Sequence, residues 1–175
     1  AVQRDRKGKA LRVVGITRDI TAQKKSEDTI WKLAHTDSLT GLPNRSLFYD
    51  RLGQCIAQAR RQNKKLALLF LDLDDFKQVN DQFGHDTGDL LLKNVADRLR
   101  QNIRNENTVA RTGGDEFILI LNDIANAGSA AVVAKKLIQS ISEPFVIKGH
   151  TCQIGSSIGI AIFPDDSDEL EKLVT

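Results

Sequence analysis

Thr108-Val109-Ala110-Arg111-Thr112-Gly113-Gly114-Asp115-Glu116-Phe117-Ile118-Leu119-Ile120-Leu121 is the stretch on which the fold turns. Thr108 to Thr112 and Phe117 to Leu121 read as two β-strands, and two consecutive glycines at their joint permit the positive φ of a tight hairpin. Upstream, Leu66-Ala67-Leu68-Leu69-Phe70-Leu71 is a short unbroken apolar run, the pattern of a central strand buried on both faces. It ends in Asp72-Leu73-Asp74-Asp75, so carboxylates crowd the end of a strand. Leu47, Phe48, Leu52, Ile56 and Ala59 recur at helical spacing before that strand, after the turn chemistry of Gly41-Leu42-Pro43-Asn44. Beyond it, a polar stretch from Asn80 to Gly88 leads into Leu90, Leu91, Val95, Leu99 and Ile103, the stripe of a long amphipathic helix. After the hairpin, Ala130 to Ile141 reads as helix, and Phe145 to Ile147 and Cys152 to Phe163 as strands. Helix, strand, helix, hairpin, helix, strands predicts an α+β fold, a central, mostly antiparallel sheet flanked by helices.

Composition narrows the function classes. The 175 residues are 41% hydrophobic and 27% charged, enough for one principal domain with a full core. Twenty-five Lys and Arg against 23 Asp and Glu leave a net charge of +2, too balanced for a dedicated binder of nucleic acid or of anionic membrane. Any phosphate site is therefore local. Cys55 and Cys152 belong to no CxxC or Cys/His cluster, so neither structural zinc nor a disulfide framework is expected. No apolar run is long enough to span a membrane, and Ala1 to Ala10 lack the core of a signal peptide; a cytoplasmic location is expected.

At the N-terminus, Leu11 to Ile16 reads as a strand, and Thr21 as the N-cap of a linker helix from Ala22 to His35 whose sparse apolar stripe, Ile30, Leu33 and Ala34, calls for a partner. The chain has no methionine and begins at Ala1, so a piece of a longer protein is expected, with a helix opening at Asp168 and cut at Thr175.

Two acidic groups carry the candidate chemistry: Asp72 with Asp74 and Asp75 at a strand end, and Asp115 with Glu116 in a hairpin turn. If their strands are neighbours, both groups reach one edge of the sheet. Such hard oxygen donors suit Mg²⁺, which binds through one or two carboxylates plus substrate phosphates, and point to metal-dependent phosphoryl transfer. Either group alone is also what a solvated strand end looks like. Lys77 and Asn80 follow in the next turns, where helix-start amides can hold phosphate, although an isolated lysine there is as readily a surface residue.

The segment Arg111-Thr112-Gly113-Gly114-Asp115-Glu116-Phe117 resembles the signature of the GGDEF diguanylate cyclases. Four further stretches resemble that family in its order: Asp37 to Arg45, Asp72 to Asp81, Phe83 to Asp89, and Ser157-Ile158-Gly159-Ile160-Ala161. The likeness runs from about Leu33 to Thr175. It implies a ferredoxin-like, nucleotidyl-cyclase-like fold and the condensation of two GTP into cyclic di-GMP with release of pyrophosphate, in bacterial signalling. It further implies that Asp72, the Leu73 carbonyl and Asp115 bind Mg²⁺, with Mn²⁺ as an alternative ion, and that Asp115, supported by Glu116, helps deprotonate the attacking 3′-hydroxyl. Asn80 and Asp89 fall at its guanine-reading positions, with helix capping as their plain alternative; His85 lies in the same substrate-facing segment. Lys77 and the backbone around Asp75 and Phe76, with Gly113 and Gly114 in the turn, would hold the phosphates. One GTP per domain implies a homodimer.

Three features qualify the resemblance. The family's closing helix, expected after Val174, lies outside the sequence. Its product-inhibition motif, arginine followed three residues later by aspartate, reads here Arg104-Asn105-Glu106-Asn107, a degenerate site for which weak feedback is expected. Residues 1–21 resemble the end of a PAS/PAC sensor, which makes 22–35 a signalling helix and 36–175 the cyclase domain, and a downstream phosphodiesterase domain is a further expectation. The competing function is a catalytically weak GTP-binding domain that regulates an attached partner.

Overall fold

The computed structural model describes residues 2–13 and 18–174. The chain divides into two units, Ala1–Lys32 and Leu33–Thr175. In the first, β1 (Val2–Arg4) and β2 (Ala10–Val13) form an antiparallel hairpin. The strand expected over Leu11 to Ile16 therefore begins a residue early, and its part from Val14 onward, with the Gly15 to Thr17 end of the sensor-like motif, lies outside the described residues. Helix α1 (Thr21–His35) starts where expected, but Asp19 rather than Thr21 does the capping, its carboxylate accepting the Thr21 amide at 2.8 Å.

The second unit continues with α2 (Arg45–Gln62), β3 (Lys65–Asp74), α3 (Phe76–Phe83), α4 (His85–Asn102), β4 (Thr108–Gly113), β5 (Glu116–Ile124), α5 (Ala127–Ser142), β6 (Phe145–Ile147), β7 (His150–Cys152), β8 (Gly155–Phe163) and α6 (Leu170–Leu173). Four strands make the central sheet in the order β4-β5-β3-β8, every neighbouring pair antiparallel. This is the ferredoxin-like order, with the first strand of the sheet between the third and the fourth.

Period-2 alternation along β3 explains the layering. Ala67, Leu69, Leu71 and Leu73 point into one core with Leu91, Val95 and Leu99 of α4 and Leu137 and Ile141 of α5. Leu66 and Leu68 point into the other, against Phe48, Leu52 and Ile56 of α2 and Leu173 of α6. Both faces are covered, as the unbroken apolar run requires. Asp72 and Asp74 continue the α2-side register, at the end of the strand.

Three expectations shift. The polar stretch Asn80 to Gly88, expected to precede the long helix, holds the end of α3, Gly84 at φ 83°, and the first turn of α4; α3 buries only Val79 fully, so its helical period is faint. The strand expected over Cys152 to Phe163 is two, β7 ending at Cys152 and β8 starting at Gly155. The C-terminal helix is a single turn, Leu170–Leu173.

Arg98 fastens α4 to the end of α5. Its guanidinium donates to the carbonyls of Ser140 (2.9 Å), Glu143 (2.6 Å) and Pro144 (3.3 Å) and lies 3.5 Å over the Phe145 ring. The Ser140 and Glu143 carbonyls are acceptors left open at the helix C-terminus, and Pro144 follows its cap.

Candidate active site at the end of the sheet

Glu116 opens β5 directly opposite Asp72 of β3, and Asp72 is paired on its other side with Ser157 of β8. The condition set by the sequence is thus met: the two acidic groups belong to adjacent strands and reach one edge. Thr112 bulges out of the β4–β5 register, and its hydroxyl donates to Glu116 at 3.3 Å. Asp74 extends past the start of β5 and pairs only with β8, where the Ser157 hydroxyl donates to its carboxylate at 2.9 Å. Gly155, across from Asp74, leaves room for that carboxylate; a Cβ there would come within 2.9 Å of Oδ2.

Asp115 stands in the turn after Gly113 (φ 147°) and Gly114 (φ 51°), backbone conformations that L side chains rarely adopt. Partial desolvation, and then repulsion by Asp115, Glu116 and Asp74, hold the Asp72 carboxyl above the usual carboxylate range. A site in which one carboxylate resists ionisation because others crowd it is one that a cation relieves. Among the described residues no three His, Cys, Asp or Glu side chains form a ready cage. Mg²⁺ commonly binds through one or two carboxylates and takes its remaining ligands from water and phosphate. Asp72 and Asp115, with the Leu73 carbonyl beside them, are the donors available.

The turn is held from behind by Arg111. Its Nε and a terminal nitrogen donate to the Gly114 carbonyl at 3.0 and 2.6 Å, and its other terminal nitrogen to both Asp37 oxygens at 3.0 and 3.1 Å. The Arg111 amide donates to the Pro43 carbonyl at 3.0 Å. Asp37 sits in the Thr36 to Asn44 loop, anchored by wholly buried Leu42 and by Arg100, which donates to the Gly41 carbonyl at 2.8 Å. Burial alone would raise Asp37; the Thr40 hydroxyl and amide and the Arg111 guanidinium outweigh it and hold the carboxyl below its ordinary range. Sequence reading quoted both residues without giving either a structural role. They are 74 positions apart, and no local signal pairs them.

Immediately after β3, Asp75 adopts the left-handed conformation (φ 61°) and α3 begins with no side-chain cap on its first amides. The backbone of Asp75 and Phe76 and the exposed Lys77 thus adjoin the carboxylates; the Asp75 side chain accepts from Gln78 Nε2 at 2.6 Å. Asn80 lies within α3 and Asp89 within α4, so neither is a helix cap, while His85 is the exposed first residue of α4. Among the described residues neither the Asn80 carboxamide nor the Asp89 carboxylate has a hydrogen-bond partner in the protein.

Arg104 and Asn107 lie away from this group, beside Asn122, six residues along β5 from Glu116, or roughly 20 Å. They border a hollow of about 660 Å³ that also reaches Lys136. Asn107 Oδ1 accepts the Asn122 amide at 3.0 Å, and Arg104 is exposed with Glu106 3.7 Å away. Asn107 therefore ties β4 to β5, as a turn-capping residue would.

A family model for the diguanylate cyclase, GGDEF domain, matches residues 34–175. Over 154 residues the chain is 46% identical to the bifunctional diguanylate cyclase/cyclic di-GMP phosphodiesterase MucR of Pseudomonas aeruginosa, which covers 88% of this chain and 22% of MucR. It is 41% identical over 143 residues to the cyclic di-GMP phosphodiesterase NbdA of the same organism, 82% of this chain and 18% of NbdA. The chain thus spans about a fifth of the length of these curated relatives. The solved structure of the isolated GGDEF domain of TpbB (YfiN) from Pseudomonas aeruginosa superposes with a TM-score of 0.78 at 40% identity, covering 80% of this chain and 82% of that one. A family match over most of the sequence, with a shared fold and this degree of identity, means that the chain belongs to the GGDEF family of diguanylate cyclase domains.

Proposed function

We propose that this domain condenses two GTP molecules into cyclic di-GMP, each 3′-hydroxyl attacking the other nucleotide's α-phosphorus and each triphosphate losing pyrophosphate. The observation that carries the reading is the facing of Asp72 and Glu116 across the β3–β5 pair, with Asp115 in the adjoining turn and the uncapped start of α3 beside them. Asp72, Asp115 and the Leu73 carbonyl would hold Mg²⁺, or Mn²⁺ in its place, and an ion bound there would supply charge neutralisation for the triphosphate and for the attacking hydroxyl.

Asp115 accepts the hydroxyl proton, and Glu116 supports the same site. The backbone at Asp75 and Phe76, the Lys77 ammonium and the open Gly113-Gly114 turn receive the phosphates. Asp89 accepts from the paired donors of guanine and Asn80 adds a second polar contact; adenine lacks those donors and would leave the acceptor unpaired in the complex. His85 lies in the same substrate-facing segment. One domain binds one GTP, so turnover needs a second copy facing the first.

In the longer protein we read residues 1–21 as the end of a PAS/PAC sensor, 22–35 as the signalling helix that sets how two cyclase domains meet, and 36–175 as the cyclase, working in the cytoplasm and open to an attached phosphodiesterase domain. No helix among the described residues is long and apolar enough to cross a membrane.

Product analysis with GTP and Mg²⁺ tests the proposal. Cyclic di-GMP should form from GTP but not from ATP, specific activity should rise with protein concentration, and Asp115→Asn should abolish turnover while the fold melts normally. GTP binding without product at high protein concentration would favour a regulatory domain instead.

A further inference from the structure

Gly88 stands in the first turn of α4, where glycine is a poor choice. A helix-interior glycine is less favourable than alanine, because it loses more backbone freedom on folding and adds no packing. The usual reason for keeping one is a left-handed φ, and Gly88 does not have it: Gly84, Gly113 and Gly114 do, Gly88 does not. It is buried. The backbone therefore leaves the choice of glycine unexplained.

Its surroundings explain it. A Cβ on Gly88 would lie 1.9 Å from Oδ1 and 2.9 Å from Cγ of Asn80, and 3.3 Å from Cζ of Phe76. The first two distances are shorter than any real contact; the third is a squeeze the ring can absorb. The space a side chain would fill at position 88 is thus already occupied by the Asn80 carboxamide, which reaches from α3 across the bare backbone of α4. Gly84 makes the approach possible: its φ of 83° turns the chain between the two helices, and its amide donates to the Asn80 carbonyl at 2.9 Å. Thr87 fixes the corner from the other side, its hydroxyl donating to the Phe83 carbonyl at 2.9 Å.

We infer that Gly88 is a specificity-determining positioning residue, present so that the Asn80 carboxamide can lie against α4 and present its polar atoms to guanine beside Asp89, one position on from Gly88. The inference rests on the proposed reading of Asn80 and Asp89 as the guanine contacts. It adds a residue that touches no substrate and acts only through the orientation of another. Among the described residues the Asn80 carboxamide has no hydrogen-bond partner to hold it, so the empty Cβ position of Gly88 is what selects its rotamer.

The obstructing atom is the end of a flexible side chain, so Gly88→Ala has a distinctive signature. Asn80 swings aside, the helix gains an alanine, and the fold is as stable as before or more so, while guanine recognition suffers. Binding is measured by calorimetry with the α,β-methylene analogues of GTP and ATP, whose bridging carbon prevents cyclisation, in the presence of Mg²⁺. Gly88→Ala should bind the GTP analogue about 5- to 10-fold more weakly, the size of one misplaced hydrogen-bonding group, and the ATP analogue as before. The melting temperature should not fall. Asn80→Ala should show a similar loss, and adding Gly88→Ala to it should change affinity by less than about 2-fold, because the partner through which Gly88 acts is gone.

Wild-type affinity in Gly88→Ala, or losses that simply add in the double variant, overturn the inference. If Gly88→Ala weakens binding but Asn80→Ala does not, Gly88 acts by another route and the inference falls. If neither variant affects binding, the guanine reading of Asn80 fails, and the inference with it. Should Gly88→Ala fail to fold, the double variant decides: recovered folding keeps Asn80 as the obstruction, and continued failure overturns it.

Discussion

Replacing Asp37 by asparagine removes one charge and almost no volume from the clamp behind the Gly113 to Glu116 turn. In the native protein a single Arg111 nitrogen donates to both Asp37 oxygens, at 3.0 and 3.1 Å, and the two side chains are 10% and 20% exposed. The pair is thus largely out of solvent, unlike the exposed Lys64–Asp123 and Lys65–Asp165 pairs, which contribute little. Asparagine keeps an acceptor for the Thr40 amide and hydroxyl, so the loss is confined to the charge-assisted contact with Arg111. Such contacts contribute about 1.5–3 kcal/mol. For a unit of this size that lowers the melting temperature by roughly 3–12 °C, since each kcal/mol moves it by about 2–4 °C.

The pH dependence follows from the lowered pKa of Asp37. A carboxyl whose folded pKa lies below its unfolded value stabilises the fold fully above the unfolded value, about 3.9, and loses that contribution as pH falls through the folded value. The stability gap between wild type and Asp37→Asn should therefore be constant from neutral pH down to about 4 and close below it. Thermal melts across pH measure this directly. Arg111 also holds the Gly114 carbonyl, so turnover should fall further than the stability loss accounts for at a temperature where both proteins are fully folded. A variant that melts within about 1 °C of wild type at pH 7, or a gap that persists unchanged into acid, would refute this account of the clamp.

Asp72→Asn should leave the metal-free protein as stable as wild type or raise its melting temperature by up to about 2 °C, because ionised Asp72 is repelled by Asp115, Glu116 and Asp74. That destabilisation grows as pH rises through the carboxylate range, so the benefit belongs to neutral and higher pH; melts in chelator check it, and the rise expected of wild type with Mg²⁺ and GTP should be absent. Arg98→Ala should destabilise the fold by about 2–4 kcal/mol in denaturant titrations, since it strips three carbonyls of their donor and uncovers Phe145. Cyclic di-GMP should bind at the Arg104 site only weakly, above the micromolar range by calorimetry, because the Asn107 oxygen is taken by the Asn122 amide; submicromolar binding lost in Arg104→Ala would overturn this.

What the sequence alone determined rests on short-range periodicity and on local turn chemistry. The apolar run Leu66 to Leu71 reads as a strand covered on both faces, and Gly113-Gly114 as a tight joint, because each depends on neighbours a few residues away. The ordered set of motifs carried the family resemblance as well. Helix α3 showed only its start after Asp75 and not its course, for the converse reason, since Phe76 and Phe83 are only partly buried and Gly84 interrupts the period. The tertiary structure alone decided which charges meet: Asp72 with Glu116 across a strand pair, Asp74 with Ser157, 83 residues away, and Arg111 with Asp37, 74 residues away. It alone decided that the Asn80 carboxamide fills the space beside Gly88. Contacts of this kind depend on where whole elements pack, and side chains that meet only after the sheet has closed leave no period or spacing in the chain.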